Sequence, residues 1–334
     1  MNSESLRLGV LRLGSRKSPM AVSQSGGVAR LITERTGRRV EIVGLTTLGD
    51  VTKEQLTQIG GTGVFVSALR ESLLRGEVDF AVHSLKDLPT GAAPGVTLAA
   101  TPVRDDPRDA LVARDGAKLA DLPAGARVGT GSPRRAAQLT MLRSDITCLP
   151  IRGNAGTRLG KVRDGEFDAV VLAYAGLARI GHTDLVSEIF EPDSMLPAPG
   201  QGALAVECRT DDTELAELLA TVDHAPTRAA VTAERSLLAA LEAGCSAPVG
   251  AYAAQTGTSR LHLEGIVLGA PEESFRPAVL DSPAATGRMV IRERGEADTA
   301  DAARLGRELA ERMLALGAAG LMRTEKTNRN DAHD

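Results

Sequence analysis

The stretch LRLGVLRLGSRKSPMAVSQSGGVARLITERTGRRVEIVGL, Leu6–Leu45, decides the fold class. Its opening, Leu6 to Gly14, alternates leucine with arginine or glycine, which is the period of a strand. A loop follows, then a helical pattern from Pro19 to Thr36, with proline early in the helix where its missing N–H leaves no bond unmade. Val40–Leu45 reads as a second strand. Strand, helix and strand in this spacing imply a parallel crossover unit.

The same rhythm continues outward. Val64–Arg75 reads as a helix ended by Gly76, and Asp79–Val82 as a short buried strand. After Thr101 come strands near Ala110–Ala113, Arg127–Thr130, Thr147–Ile151 and Ala169–Ala173, separated by helices at Pro133–Arg143 and Ala155–Arg163. Pro197–Ala203, PAPGQGA, is a crossing segment, and the apolar strand Leu204–Glu207 beyond it could return to the first sheet. From Thr227 the pattern changes to a long helix reaching Glu242, a Gly-Cys loop, strands near Val249–Ala254 and His262–Leu268, and a helix over Thr299–Leu316. The expectation is an α/β protein of two α/β domains, residues 1–102 with about 200–222 and residues 103–199, plus a smaller C-terminal α+β domain, residues 223–334. The tail Thr324–Asp334 is polar.

Bulk composition narrows the function. At 334 residues the chain exceeds one ordinary core, and 43% hydrophobic with 25% charged residues is a globular balance. The N-terminus shows no secretion-signal pattern and no apolar run nears the roughly 20 residues of a membrane span, so a cytoplasmic location without membrane contact is expected. Cys148, Cys208 and Cys245 are too few and too scattered for a disulfide framework or a metal site, and are expected as free thiols. Arginine outnumbers lysine 33 to 6, yet net charge is −4, aromatics are 2% and tryptophan is absent. That balance argues against a nucleic-acid partner.

Three loops that follow strands combine small residues with fixed cations: Ser15-Arg16-Lys17-Ser18, Thr130-Gly131-Ser132-Pro133-Arg134-Arg135, and Arg152-Gly153-Asn154-Ala155-Gly156-Thr157-Arg158. Ligands of open α/β sheets bind beyond the carboxyl ends of strands, and arginine pairs bidentately with carboxylates. Taken singly, each loop is explained by helix capping or surface arginine; taken together they point to a cleft for a polyanion. None has the spacing of a nucleotide phosphate loop or a dinucleotide fingerprint, so carboxylates fit better than phosphates. In Asp79-Phe80-Ala81-Val82-His83-Ser84-Leu85-Lys86-Asp87-Leu88-Pro89 a buried strand runs into a Ser, Lys, Asp cluster. Asp87, beside Lys86, could stabilise a cation developing on a substrate, or simply cap a turn before Pro89. His83 reads as a packed residue and is given no catalytic role. In Leu241-Glu242-Ala243-Gly244-Cys245-Ser246-Ala247-Pro248-Val249-Gly250, Cys245 sits on a loop beyond a helix, whereas Cys148 and Cys208 adjoin apolar strands. The residues alone leave Cys245 either a nucleophile or an inert thiol.

RKSPMA, IGGTGVFVSALRESLL, DFAVHSLKDLPT, DDPRDA, VGTGSPRR, LPIRGNAGTRL, DAVVLAYAGLAR, LPAPGQGALAVEC and VTAERSLLAALEAGCSAPVG occur here in this order, within a match that runs from about Leu6 to at least Gly269. In these segments the chain resembles the porphobilinogen deaminase family. The resemblance implies two periplasmic-binding-protein-like domains with a cleft between them and a third domain that carries a cofactor cysteine. It also implies a transferase that joins four small-molecule porphobilinogen units head to tail with loss of ammonia, then releases hydroxymethylbilane by hydrolysis. By position, Cys245 would bear a dipyrromethane through a thioether, and Asp87 would handle the pyrrole nitrogens. Lys86, Ser84, Thr130, Ser132, Arg134, Arg135 and Arg158 would contact the cofactor; Arg16, Ser18, Arg152 and Arg179 would contact substrate. No metal is implied, and a monomer is. Thr62 departs from the pattern, standing where many members have lysine, so no binding role passes to it. Two rivals are a two-lobed anion-binding protein, which would leave the third domain without a task, and a thiol hydrolase, which lacks an identifiable base.

Overall fold

Strand β1 (Leu11–Arg16) turns Leu11 and Leu13 into the core and runs directly into helix α1 (Pro19–Thr36). Ser18 caps α1 by accepting the Ala21 N–H at 3.3 Å, and Gly37, at φ 69°, ends it. The computed structural model describes residues 9–45, 61–243, 247–269 and 290–322, the side chains of 61–65 excepted. Strand β2 (Val40–Leu45), helix α2 (Gly61–Leu74), strand β3 (Phe80–Ser84) and strand β4 (Val96–Ala100) follow, with one 3-10 turn at Leu85–Asp87. The chain then crosses to β5 (Asp109–Ala113), β6 (Arg127–Gly129), α3 (Pro133–Leu142), β7 (Thr147–Leu149), α4 (Ala155–Arg163), β8 (Ala169–Ala173), α5 (Tyr174–Arg179) and β9 (Glu188–Phe190). It returns to β10 (Leu204–Arg209) and α6 (Thr213–Ala220). Helix α7 (Ala225–Ala240), strands β11 (Val249–Thr256), β12 (Arg260–Leu268) and β13 (Val290–Asp298), and helices α8 (Ala302–Ala315) and α9 (Ala318–Met322) complete it.

These elements build three sheets. The first has the order β2-β1-β3-β10-β4, the second β7-β6-β8-β5-β9 and the third β11-β12-β13. In the first, β1 pairs parallel with β2 and β3, whereas β10 is antiparallel to both β3 and β4. The second repeats that plan: β6 is parallel to β7 and β8, and β5 runs antiparallel to β8 and β9. Each mixed sheet therefore holds four strands running one way and one running against them, β10 or β5, that follows directly on a crossing segment. The return of β10 to the first sheet matches its apolar reading, since Ala205, Val206 and Cys208 are buried on both faces. Core residues of the first domain include Leu11, Leu13, Ile32, Phe80 and Val206. Those of the second lie on either face of its sheet, around Leu139 and Val171 on one side and Val170 and Leu177 on the other.

The third domain is smaller and differently built. Its sheet is antiparallel throughout, and α7 and α8 contribute Ala233, Leu237, Leu305 and Leu309 to the core shared with β11 and β12. A Cβ on Gly306 would come within 2.3 Å of the Ala233 carbonyl oxygen, so the two helices meet at a distance only glycine permits. Both crossing segments and the third domain meet at buried Glu234 of α7. Its carboxylate pairs with both Nη atoms of Arg104, at 2.6 and 3.0 Å, and accepts the N–H of Gly200 and of Ala253. The crossing segments also pack tightly against each other: Gly202 has φ +85°, and a Cβ there would sit 2.5 Å from the Asp105 carbonyl oxygen. No described helix is long and apolar enough to cross a membrane.

Candidate active site

The site begins where β3 ends. Strand β3 extends to Ser84, two residues beyond the sequence expectation, which places His83 inside the sheet. The following turn is anchored by Leu85 and Leu88, both buried, and by the Leu85 N–H donating to the Ala203 carbonyl at 3.0 Å. Between these anchors Lys86 and Asp87 are half-buried. Lys86 Nζ donates to Gln201 Oε1 at 3.2 Å, and the Ser84 hydroxyl accepts from Gln24 Nε2 at 2.9 Å. Asp87 has no hydrogen bond or ion pair among the described residues.

The second domain supplies the facing cations. Ser132 caps α3, accepting the Arg135 N–H at 3.4 Å, while the Thr130 hydroxyl accepts the Ser132 N–H at 3.1 Å. That turn drives both arginines inward onto Asp109, which is fully buried. Arg134 Nη1 reaches Asp109 Oδ2 at 2.7 Å; Arg135 Nε and Nη2 reach Oδ1 at 3.0 and 2.7 Å; Gln201 Nε2 adds a bond to Oδ1 at 2.8 Å. Burial alone would raise the Asp109 pKa, but the charges of Arg134 and Arg135 and the hydrogen bonds from Arg134 and Gln201 hold it far below the ordinary carboxylate range.

Two adjoining cavities open over these groups. One, of about 250 Å3, is lined by Ser84, Lys86, Asp87, Arg135, Arg158 and Arg179 together with Gln24, Gly153 and Asn154. The other, of about 110 Å3, is lined by Arg16, Ser18, His83, Ser84 and Asp87. Asp87, Ser84, Gln24 and Met20 border both. Arg158 is oriented by its Nε bond to the Gly153 carbonyl at 2.9 Å, next to the Asn154 cap of α4. Arg179, ending α5, donates Nε to Asp105 Oδ2 at 2.8 Å and Nη2 to the Gly202 carbonyl at 2.7 Å.

The larger cavity is short of negative charge. Lys86 is pushed down from 10.5 to about 8, by burial first and then by the Arg135 charge, with Asp87 and Asp109 only partly opposing. Arg158 is likewise lowered by burial and then by Arg135. A ligand with several carboxylates would relieve both. Raising the pH through about 8 removes the Lys86 charge from the anion-free cavity, so carboxylate binding should weaken several-fold between pH 7.5 and 9.5. Lys86→Arg, charged throughout, should flatten that slope when a small dicarboxylate is titrated calorimetrically. A wild-type affinity independent of pH over this range would remove Lys86 from anion binding.

Of the residues named from sequence, the structure brings Arg16, Ser18, Ser84, Lys86, Asp87, Arg135, Arg158 and Arg179 to these two cavities. Thr130, Ser132, Arg134 and Arg152 line neither: Thr130 and Arg134 are buried beneath, Ser132 is used as a cap, and Arg152 is exposed. Cys245 lies outside the described residues, as do the side chain of Thr62 and the tail from 323. Cys148 and Cys208 are buried free thiols, as expected. Sequence reading assigned no role to Gln24, Gln201 or Asp109. Asp109 and Gln201 belong to quoted motifs, DDPRDA and PAPGQGA, and a polar residue in a crossing segment was the available signal. Gln24 had none beyond lying one helical turn past Met20.

Two family descriptions match the chain: "Porphobilinogen deaminase, dipyromethane cofactor binding domain" over residues 11–217, and "Porphobilinogen deaminase, C-terminal domain" over residues 228–315. Among curated proteins, the porphobilinogen deaminase of Thermobifida fusca is 59% identical over 309 residues, covering 92% of this chain and 94% of its own. Porphobilinogen deaminase 1 of Streptomyces coelicolor is 57% identical over 321 residues, covering 93% and 97%. With two matched domains spanning most of its length and relatives of this identity, the chain belongs to the porphobilinogen deaminase family.

Proposed function

We propose that the two cavities joined at Asp87 are where this chain, as a hydroxymethylbilane synthase, joins four porphobilinogen units with loss of ammonia and releases hydroxymethylbilane. The observation that carries this reading is the carboxylate of Asp87, without a hydrogen bond or ion pair among the described residues, shared by two cavities whose other charged lining groups are cations. The residues present fit a dipyrromethane: the excess positive charge that depresses Lys86 and Arg158 suits a group bearing several carboxylates. Lys86, Arg135 and Arg158, with Ser84, would hold it, and Cys245 would attach it. When bound, that group supplies a pyrrole carbon nucleophile at high effective concentration.

The chain's own residues divide the remaining work. Arg16 and Ser18 bind and orient the substrate's carboxylates in the smaller cavity, Arg179 does so from the crossing segments, and Arg152 contributes from the exposed loop before α4. Asp87 stabilises the positive charge that develops on the pyrrole as ammonia leaves. Thr130, Ser132 and Arg134 act beneath the surface, Thr130 and Ser132 by shaping the turn that aims Arg135 and Arg134 by sharing Asp109 with it. The domain limits that go with this reading are 1–102 with about 200–222, 103–199 and 223–334. A monomer in the cytoplasm is the accompanying inference, the cytoplasmic part of it supported by two buried thiols that are unpaired.

Intact mass tests the attachment. The purified chain should exceed its 34.8 kDa sequence mass by one dipyrromethane and return to it in Cys245→Ser. An active protein with the bare sequence mass would overturn the assignment.

A further inference from the structure

The turn that carries Asp87 is held from outside the cleft by one side chain of the third domain. Arg235, on α7, donates from Nη1 to the Leu85 carbonyl at 3.2 Å and to the Leu88 carbonyl at 3.0 Å, and from Nη2 to the Pro89 carbonyl at 2.7 Å. These three carbonyls bracket Asp87 on both sides. A planar guanidinium fixes the relative orientation of its acceptors, which an ammonium on a flexible stem does not. The contact is also braced apolarly, because Val231, one helical turn before Arg235, packs in the same buried cluster as Leu85 and Leu88. The neighbouring residue Glu234 fixes α7 itself through Arg104, Gly200 and Ala253. Helix α7 is thus fixed to the crossing segments through Glu234 and has its side tied to the Asp87 turn.

We infer that Arg235 is a positioning residue for the reaction: by clamping the backbone carbonyls on either side of Asp87, it holds that carboxylate where the two cavities meet. It lines neither of these two cavities, so it reaches Asp87 through the turn. The inference rests on Asp87 being the reacting carboxylate. Misplacing a reacting group by about 1 Å costs on the order of 100-fold in rate, so loosening this turn should be felt in turnover more than in binding.

The test compares Arg235→Gln and Arg235→Lys in the cofactor-loaded protein. Arg235→Gln should lower kcat by about 10- to 100-fold while the porphobilinogen KM moves no more than about twofold. Its intact mass should still include the dipyrromethane. Amide hydrogen exchange should quicken in the segment 84–90 and stay unchanged in 19–36 and 133–142. Arg235→Lys, able to reach one carbonyl at a time, should recover part of kcat and serves as the readout if the glutamine variant does not fold. Quickened exchange at 84–90 with normal kcat would overturn the inference, as would a uniform rise in exchange with kcat and KM impaired together. If Asp87→Ala itself retained turnover, the reading of Asp87 would have failed; if Asp87→Ala is inactive while Arg235→Gln is normal, only the positioning role has failed.

Discussion

Replacing Asp87 with alanine leaves a folded protein that scarcely turns over porphobilinogen. The expected loss in kcat is about 100- to 10,000-fold, the range for removing a group that stabilises charge or moves a proton in the transition state. The fold should survive because Asp87 is half-buried and makes no hydrogen bond or ion pair among the described residues. Its turn is held instead by Leu85, Leu88, backbone bonds and Arg235. Asp87→Asn separates charge from shape: it keeps the volume and the acceptor oxygen but not the negative charge, and should be nearly as impaired. Steady-state ammonia release and a thermal melt on the same samples decide it. Near-normal release from either variant would mean the cations, not the carboxylate, carry the chemistry.

Asp109→Asn should act on stability. Arg134 and Arg135 are each less than a tenth exposed, and both direct their charge onto the one carboxylate. Removing its charge leaves two guanidiniums buried without an anion, and breaking such an arrangement costs about 3–5 kcal/mol. The effect is best read by urea denaturation in a Cys245→Ser background, where no bound polyanion substitutes for the missing charge. A midpoint unchanged from the Cys245→Ser parent would show that solvent or rearrangement satisfies the arginines. Loss of Asp109 should also release Gln201, whose side chain bonds both Asp109 and Lys86, so anion affinity in the larger cavity should change with stability.

Elements with local signals were legible from the chain alone. Pro19–Thr36, Ala155–Arg163 and Ala169–Ala173 occur with the bounds read from sequence, because a cap, a proline or a run of buried residues marks each of them, and Val40–Leu45 does so on its β-branched residues. Strands β4, β9 and β13 were not identified. VTLAA and EIF are short, half-buried edge strands, and β13, VIRERGEAD, alternates too many charges to resemble a strand. Each exists because a distant partner pairs with it, as Ala100 does with Val206 and Phe190 with Asp109. Helix α6 was passed over too, although Asp212 caps it.

The site divides in the same way. Asp87, Lys86 and the arginines of the three loops were visible because ligands of α/β sheets gather beyond strand ends, and the loops could be placed there from periodicity. That Arg135 borders the cavity while Arg134 is spent on Asp109 and the Leu196 carbonyl was not visible, since adjacent arginines in one motif look alike until Asp109, 25 residues away, is in place. Nor could sequence bring Gln24 to Ser84, Gln201 to Lys86, or Arg235 to the turn around Asp87. Periodicity and capping act within a few residues, so the chain by itself determined the strands and helices that carry such local signals and the chemical character of its loops. Which charge meets which was decided by the folded structure, because Coulomb and hydrogen-bond energies depend on distances that only the packed domains set.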